Sequence, residues 1–455
     1  MWELKFKNKI IYLQLFFFSL FILTLIIPFI KEEISGLSFI RFDIFAYIFS
    51  FKLNLLFFVL VLIIIIELFF GRIFCAFICP LGNLITFFDW LFNGIRKKIR
   101  KQNYRGFTFI PAGIFLLIIV LKFFDINIIG FFDPLSIIHR FFTLTFSPIL
   151  KLIFKSHFIS IPFFVSVSYS LIFIIALSFF GERIWCKYIC PLGFIHRIFS
   201  IPSKYIRVVN NCTNCMVCVN LCPMNAIDIK DPTKYDKTLC ILCFRCVYSC
   251  VGATNFKFQF KNKQYSSTRR NFLKFVLTSF VFFNFFKAGK KDKRILRPPG
   301  ATEKSIQNCI RCMECVKSCP TNVIQPAGFN KGVLNLFTPE FRTDISYCDY
   351  ECNLCGKVCP TNSIKLLPLK MKQKWKIGVA VIDPKLCIVW SSGVPCLVCE
   401  EHCPVPEKAI KVKMIKRGDQ MVGAPVVDNN LCIGCGLCQN KCPAEGSAIK
   451  VLPLY

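Results

Sequence analysis

The cysteines of this chain limit its fold more than any other feature. Twenty-four of 28 fall into six consecutive four-cysteine motifs. Four motifs are C-x2-C-x2-C-x3-C: Cys212, Cys215, Cys218, Cys222; Cys240, Cys243, Cys246, Cys250; Cys309, Cys312, Cys315, Cys319; and Cys432, Cys435, Cys438, Cys442. Two have a stretched first gap: Cys348, Cys352, Cys355, Cys359, and Cys387, Cys396, Cys399, Cys403. A three-cysteine loop with a fourth cysteine a little further on is the ligand spacing of a [4Fe-4S] cluster, the fourth thiolate going to the neighbouring cluster. Disulfides would not impose the same short gap six times. Zinc sites more often use two separated C-x2-C pairs. The motifs therefore imply six [4Fe-4S] clusters and electron transport, since no structural role needs six redox centres.

The rest of the composition divides the chain. It is 55% hydrophobic, with 53 Phe. Four long apolar runs precede residue 181: Ile10 to Ile30, Leu53 to Phe70, Phe107 to Phe124 and Phe158 to Phe180. Each is near the roughly 20 residues that cross a bilayer core. The first ends in Ile-Pro-Phe-Ile-Lys, with no small-residue cleavage site, and so is not read as a signal peptide. The expected fold is multi-domain: an α-helical membrane bundle of four spans, then α+β ferredoxin domains with two and four clusters. Basic residues favour one side of the bundle by 15 to 7. The positive-inside rule then places both bundle ends in the cytoplasm, in a multi-pass protein of a bacterial inner membrane. The net charge of +31 is ascribed to orienting helices and to balancing anionic clusters. The lipid bilayer is an expected partner and nucleic acid is not.

The other four cysteines occur twice in one context, FFGRIFCAFICPLG at 69–82 and FFGERIWCKYICPLG at 179–193. This reads as a duplicated hairpin. Cys75 and Cys79, like Cys186 and Cys190, are four apart, which on a helix places both thiols on one face. Pseudo-twofold packing would gather all four. Three fates stay open: a shared metal or Fe–S site, a thiol/disulfide pair, or buried structural thiols. Polar residues in this part are few: Glu67, Asp125, Asp133 and His139. Glu67 and His139 are the catalytic candidates, as proton acceptors in quinol oxidation. No C-x-x-C-H occurs, which excludes covalent c-type haem.

Four domains are expected: 1–204 with the spans and both repeats, 205–262 with two clusters, 263–297, and 298–455 with four clusters. In 205–262 the crossed pattern gives Cys212, Cys215, Cys218 with Cys250, and Cys240, Cys243, Cys246 with Cys222. Residues 225–229 read as a short strand. The segment 263–297 contains Thr-Arg-Arg-Asn-Phe-Leu-Lys at 268–274, a match to the twin-arginine export pattern, and an apolar run to Phe286. An uncleaved anchor competes there with a basic linker. In 298–455, strand-like tails follow three motifs, at 363–366, 409–412 and 448–451. Such domains have little apolar core, so metal binding is coupled to folding.

Residues 1–260 resemble the NapH-type membrane ferredoxins: four apolar runs, two Cys-Pro repeats and a two-cluster domain. Residues 266–455 resemble the NapG/MauM-type ferredoxins: the twin-arginine start, Arg297-Pro298-Pro299-Gly300-Ala301, four motifs, and the closing Ala-Ile-Lys-Val-Leu-Pro-Leu. The chain looks like a fusion of the two. The resemblance implies a menaquinol dehydrogenase module that takes electrons from quinol and relays them to a downstream cytochrome or reductase, with the last domain external. It also implies nested pairing: Cys309, Cys312, Cys315 with Cys442; Cys432, Cys435, Cys438 with Cys319; Cys348, Cys352, Cys355 with Cys403; and Cys387, Cys396, Cys399 with Cys359. Sequential pairing is the alternative. The Cys-Pro repeat is shared with NosR- and CcoG-type proteins, so reverse flow from a cytosolic donor and a redox maturation or regulatory role remain as alternatives. The absence of G-x-G-x-x-G after a strand argues against a self-contained NAD(P)H enzyme.

Overall fold

The structure, a computed structural model, describes residues 11–23, 55–93, 109–124, 126–155, 169–250, 253–258, 295–417 and 420–454. Asp125, the twin-arginine-like stretch 268–274 and the apolar run to Phe286 lie outside these residues. The chain divides into two compact units, one of Met1–Phe142 and Val167–Ala288, the other of Thr143–Ser166 and Gly289–Tyr455.

Among the described residues the apolar runs do not become four spans. Residues 11–23 are helical, and helices Leu55–Phe70, Ile110–Phe123 and Tyr169–Phe180 have 16, 14 and 12 residues. At about 1.5 Å per residue, even the first of those three falls short of a hydrocarbon core about 30 Å thick. Gly71, at φ +100°, ends it in a conformation that glycine adopts freely. Helix Pro134–Lys155 has 22 residues but carries His139, Arg140, Lys151 and Lys155. Among the described residues no helix is long and apolar enough to cross a membrane. The expected four-span bundle is overturned, and so is the multi-pass inner-membrane location drawn from it.

The repeat survives in a different form. Each Cys-Pro starts a new helix, Pro80–Asn93 and Pro191–Phe199, because proline's missing N–H costs nothing at a helix's first position. Pro80–Asn93 packs on Tyr169–Phe180, which precedes the second repeat, and Pro191–Phe199 packs on Leu55–Phe70, which precedes the first. The two hairpins thus exchange helices reciprocally. In the same unit, strands Tyr205–Asn210 and Ala253–Phe258 pair antiparallel, Tyr205 opposite Phe258 and Asn210 opposite Ala253. They bracket the first two cysteine motifs. The stretch 225–229 makes only one bridge, Ile227 with Tyr235.

In the other unit, Val379–Ile382 pairs with Ile449–Leu452, and Ile410–Arg417 with Gln420–Val427. Two of the three strand-like tails are therefore strands. The third, 363–366, is not. Lys365 N–H donates to Gly300 O and Ile364 N–H to Cys359 Sγ, so a loop and a thiol take the bonds a partner strand would need. The short pair Ile324–Pro326 with Pro339–Phe341 had no signal in the sequence reading. Arg297 explains the Arg-Pro-Pro-Gly-Ala stretch. Its buried guanidinium reaches Glu303, Thr338, Pro339 O and Asn335, pinning the start of this unit to that strand pair.

Candidate electron-transfer sites

The third cysteine of each motif sits second in a helix of four or five residues: Cys218, Cys246, Cys315, Cys355, Cys399 and Cys438. In the four regular motifs the loop before that helix is wound by paired left-handed residues: Asn214 and Met216, Leu242 and Phe244, Arg311 and Met313, Gly434 and Gly436. Alternating handedness turns successive backbone N–H groups into one concavity, a nest suited to anions and Fe–S sites. The residues before the helix in the two stretched motifs, Asn353 and Leu397, have negative φ.

Four groups of thiols each line a small cleft. Cys212, Cys215, Cys218 and Cys250 share one, and Cys222, Cys240, Cys243 and Cys246 the next. This is the crossed arrangement. Arg207 lines both cavities and anchors itself on Pro232 O at 2.7 Å, so a buried cation sits between the two sites. Cys403 joins Cys432, Cys435 and Cys438, and Cys442 joins Cys387, Cys396 and Cys399. Cys309, Cys312 and Cys315 lie within electrostatic reach of Cys359. Cys348, Cys352 and Cys355 lie likewise near Cys319. Pairing is therefore sequential, and the nested arrangement implied by the resemblance is not what the fold builds.

Sequential crossing has a consequence for order in space. Cys348 N–H donates to Cys435 O at 2.8 Å, joining the two crossed pairs at their inner members. Lys372 stands at the same junction, with its ammonium on Asp349 O and Tyr350 O and its charge felt by Cys348 and Cys435. The four sites of this unit form a row: the Cys309 group, the Cys348 group, the Cys432 group, the Cys387 group.

The donor sets fit clusters rather than single ions. Among the described residues no three Cys, His, Asp or Glu side chains are close enough to hold one metal ion. A lone zinc draws its thiolates to about 2.3 Å, whereas a cubane spreads them over four irons. Backbone N–H groups already point at the sulfurs: Ala226 to Cys222, Ala409 to Cys403, Ala448 to Cys442 and Ala380 to Cys432, at 3.3 to 3.4 Å. Burial pushes the metal-free thiols up, Cys435 to about 11 and Cys246 to about 12.

Cys75 and Cys79 do not share one regular helical face. Cys79 N–H bonds Phe74 O and Cys190 N–H bonds Trp185 O, each closing a turn one residue wider than an α-turn. The second cysteine of each repeat thus leaves the helix in extended conformation, and its sulfur accepts from Gly82 N–H or Gly193 N–H. All four thiols still converge: Cys79 couples to Cys186, and Cys190 to both Cys75 and Cys79.

Glu67 is fully buried. Its partner is His196, at 2.5 Å through Nδ1, not His139. Phe74 N–H donates to its other oxygen, and the His196 ring stacks on Phe74 with centroids 4.6 Å apart. The sequence reading missed His196. The available signal was positional: it stands six residues after Cys190, where the first repeat has Ile85. His139 is also buried, on helix Pro134–Lys155. Asp133 caps that helix, accepting from Leu135 and Ser136 N–H, which gives it a structural role.

Comparison with known proteins agrees with this geometry. A family described as "4Fe-4S binding domain" matches residues 51–102 and 163–208, spanning both Cys-Pro repeats. A "4Fe-4S dicluster domain" matches 308–363, and a second "4Fe-4S binding domain" matches 425–445. The methylamine utilization ferredoxin-type protein MauM of Methylobacillus flagellatus is 34% identical over 167 residues, 35% of this chain and 68% of that protein. The ferredoxin-type protein NapG of Escherichia coli is 34% identical over 166 residues, 35% of this chain and 71% of that protein. An uncharacterized protein of Methanocaldococcus jannaschii is 32% identical over 211 residues, 45% of this chain and 79% of that protein. No solved structure matches the chain.

Proposed function

Because the chain belongs to the family of ferredoxin-type electron carriers that includes MauM and NapG, we propose that it relays electrons through six [4Fe-4S] sites and that a hydroquinone supplies them. One observation carries the relay: the fold sets the four sites of its second unit in a row, with a cysteine-to-cysteine backbone hydrogen bond joining the two crossed pairs. A [4Fe-4S] cluster, when bound, accepts and releases single electrons at a potential set by charge, hydrogen bonds and solvent exposure. The protein's own part is to hold the thiolates and aim N–H groups at their sulfurs. It also places cations between neighbouring sites, Arg207 in one unit and Lys372 in the other.

The hydroquinone reading rests on Glu67 and His196. Oxidising a hydroquinone releases protons as well as electrons, and a buried carboxylate–imidazole pair is a ready acceptor. Glu67 accepts from the N–H of Phe74, the residue before Cys75, and Ala76 and Phe77 pack with Met224 and Ile241 beside Cys222 and Cys243. The electrons leave to a downstream redox protein. The test is anaerobic mixing of the iron-loaded full chain with a soluble menaquinol analogue. Fast partial bleaching that Glu67→Gln slows by at least tenfold supports the reading. Full reduction by dithionite with none by the menaquinol analogue overturns the donor and leaves the relay standing.

A further inference from the structure

The row of four sites in the second unit has two ends, and they differ in exposure. At the Cys309 end, residues 310–317 are all buried. At the Cys387 end, Cys396, Cys399 and Cys442 are only half-buried. Leu386, Val394 and Leu397 stand 42%, 53% and 43% exposed there. Each lies within two residues of a cysteine of that site: Leu386 precedes Cys387, Leu397 follows Cys396, and Val394 stands two before Cys396. Apolar side chains left in water and gathered at one site mark an interaction surface.

The stretched first gap builds this end. Its eight residues form the helix Ile388–Ser392, which Gly393, at φ +71°, closes in the left-handed region that glycine adopts freely. Val394 and Pro395 follow it, both exposed. Inside, Val389 and Cys387 pack on Val422 and Ala424 of strand Gln420–Val427, and the Trp390 indole N–H donates to Pro425 O at 3.1 Å. The insertion therefore fastens the hairpin of Ile410–Arg417 and Gln420–Val427 to the last site of the row. That hairpin has charge of one sign. Its first strand, Ile-Lys-Val-Lys-Met-Ile-Lys-Arg, carries four cations and no carboxylate, and its second carries no charge. Lys411 meets Asp428 at 3.3 Å. Lys413 and Lys416 are exposed, as are Val412, Met414 and Met421.

We propose that the Cys387 end of the row, formed by this insertion and the lysine-bearing hairpin, is the docking surface for an acidic one-electron redox protein, and that electrons leave the chain there. The inference rests on the relay reading and names where the relay ends. One electron passes from the reduced Cys387 site to the oxidised centre of the partner. The site is oxidised, the partner is reduced, and no bond forms or breaks. Carriers that must part after each electron use small interfaces, so a few aliphatic side chains beside the cysteines suffice for contact. The lysines raise the encounter rate of an acidic partner.

The test is stopped-flow oxidation of the anaerobic, iron-loaded full chain, reduced with dithionite while its electron uptake is counted. The oxidant is a soluble acidic b-type cytochrome domain, with basic mitochondrial cytochrome c as control. The rate with the acidic protein should fall about tenfold as salt rises from about 20 to about 200 mM, and the control rate should not fall. Lys413→Glu/Lys416→Glu should slow the acidic reaction about tenfold at low salt. Val394→Ser should slow it at high salt as well. Both variants change exposed side chains, so electron uptake and EPR signals should stay as in wild type. Unchanged rates in both, with uptake intact, overturn the docking surface and leave the relay standing. Sedimentation with phosphatidylglycerol vesicles that the lysine variant abolishes, at an unchanged rate, assigns the hairpin to a lipid surface and overturns the proposal. No uptake from dithionite in wild type overturns the proposal and the relay together.

Discussion

Single residues set the electrical landscape around each site. Lys372 is 3% exposed and acts on both Cys348 and Cys435. Reduction adds negative charge, so removing this cation disfavours it. Lys372→Met should lower the potentials of the two inner sites of the row and spare the outer two, as read by an EPR-monitored redox titration. Gly434, at φ +72°, lies where a Cβ would come within 2.5 Å of the Gly378 backbone. Gly434→Ala combines left-handed strain of about 1–2 kcal/mol with overpacking of about 1–3 kcal/mol, and chemical denaturation should show a loss of that size. The thiols carry a pH signature. In the iron-free fold their pKa values are raised, Cys435 to about 11 and Cys246 to about 12, against about 8.5 in an unfolded chain. The folded state then holds protons that the unfolded state releases, so stability falls as pH rises through that window. Iron-free protein under reducing conditions should unfold more readily at pH 10 than at pH 8. Iron-loaded protein, its thiolates already deprotonated, should not show the same trend.

Elements were legible to the degree that their chemistry is local. The cysteine loops were readable because ligand spacing is fixed by the cluster they hold, and the crossed pairs of residues 205–262 followed from it. The strand-like tails at 409–412 and 448–451 were readable from the residues after each Cys-Pro, and they fall in the strands Ile410–Arg417 and Ile449–Leu452. The tail at 363–366 has the same pattern and forms no strand, because Gly300 takes its backbone bond from more than sixty residues away. Nothing in the local pattern could show that. Pairing order was equally invisible: spacing is the same for nested and sequential crossing, and only the packing of Glu314–Lys317 on Leu354–Val358 and of Val398–Glu401 on Leu437–Lys441 separates them. His196 was missed because its partner Glu67 lies in the other repeat. Since the cysteines occupy what apolar side chains fill elsewhere, as where Cys432 and Cys438 pack with Ala380 and Ile449, iron removal should melt these elements. Loss of circular dichroism and faster proteolysis on chelation would register it.

At the scale of the molecule, composition misled where it had seemed plainest. Apolar runs near spanning length predicted a membrane bundle, yet the described helices on them stop short, at Gly71 in one case. One side of these helices, with Leu60, Ile63, Ile118, Leu121, Leu171 and Ile174, is buried where the two repeats pack against each other, while Phe58, Leu62, Phe69, Phe173 and Phe180 stand exposed on the other. What remains is a chain whose chemistry lies in rows of sulfur-lined sites. The measurement that tests this most directly is a stepwise coulometric reduction of the anaerobically purified full chain, with iron counted on the same sample. The account predicts iron-dependent bleaching and uptake of at least six electrons per chain, one for each motif. Zinc in place of iron, or uptake of none, would contradict it.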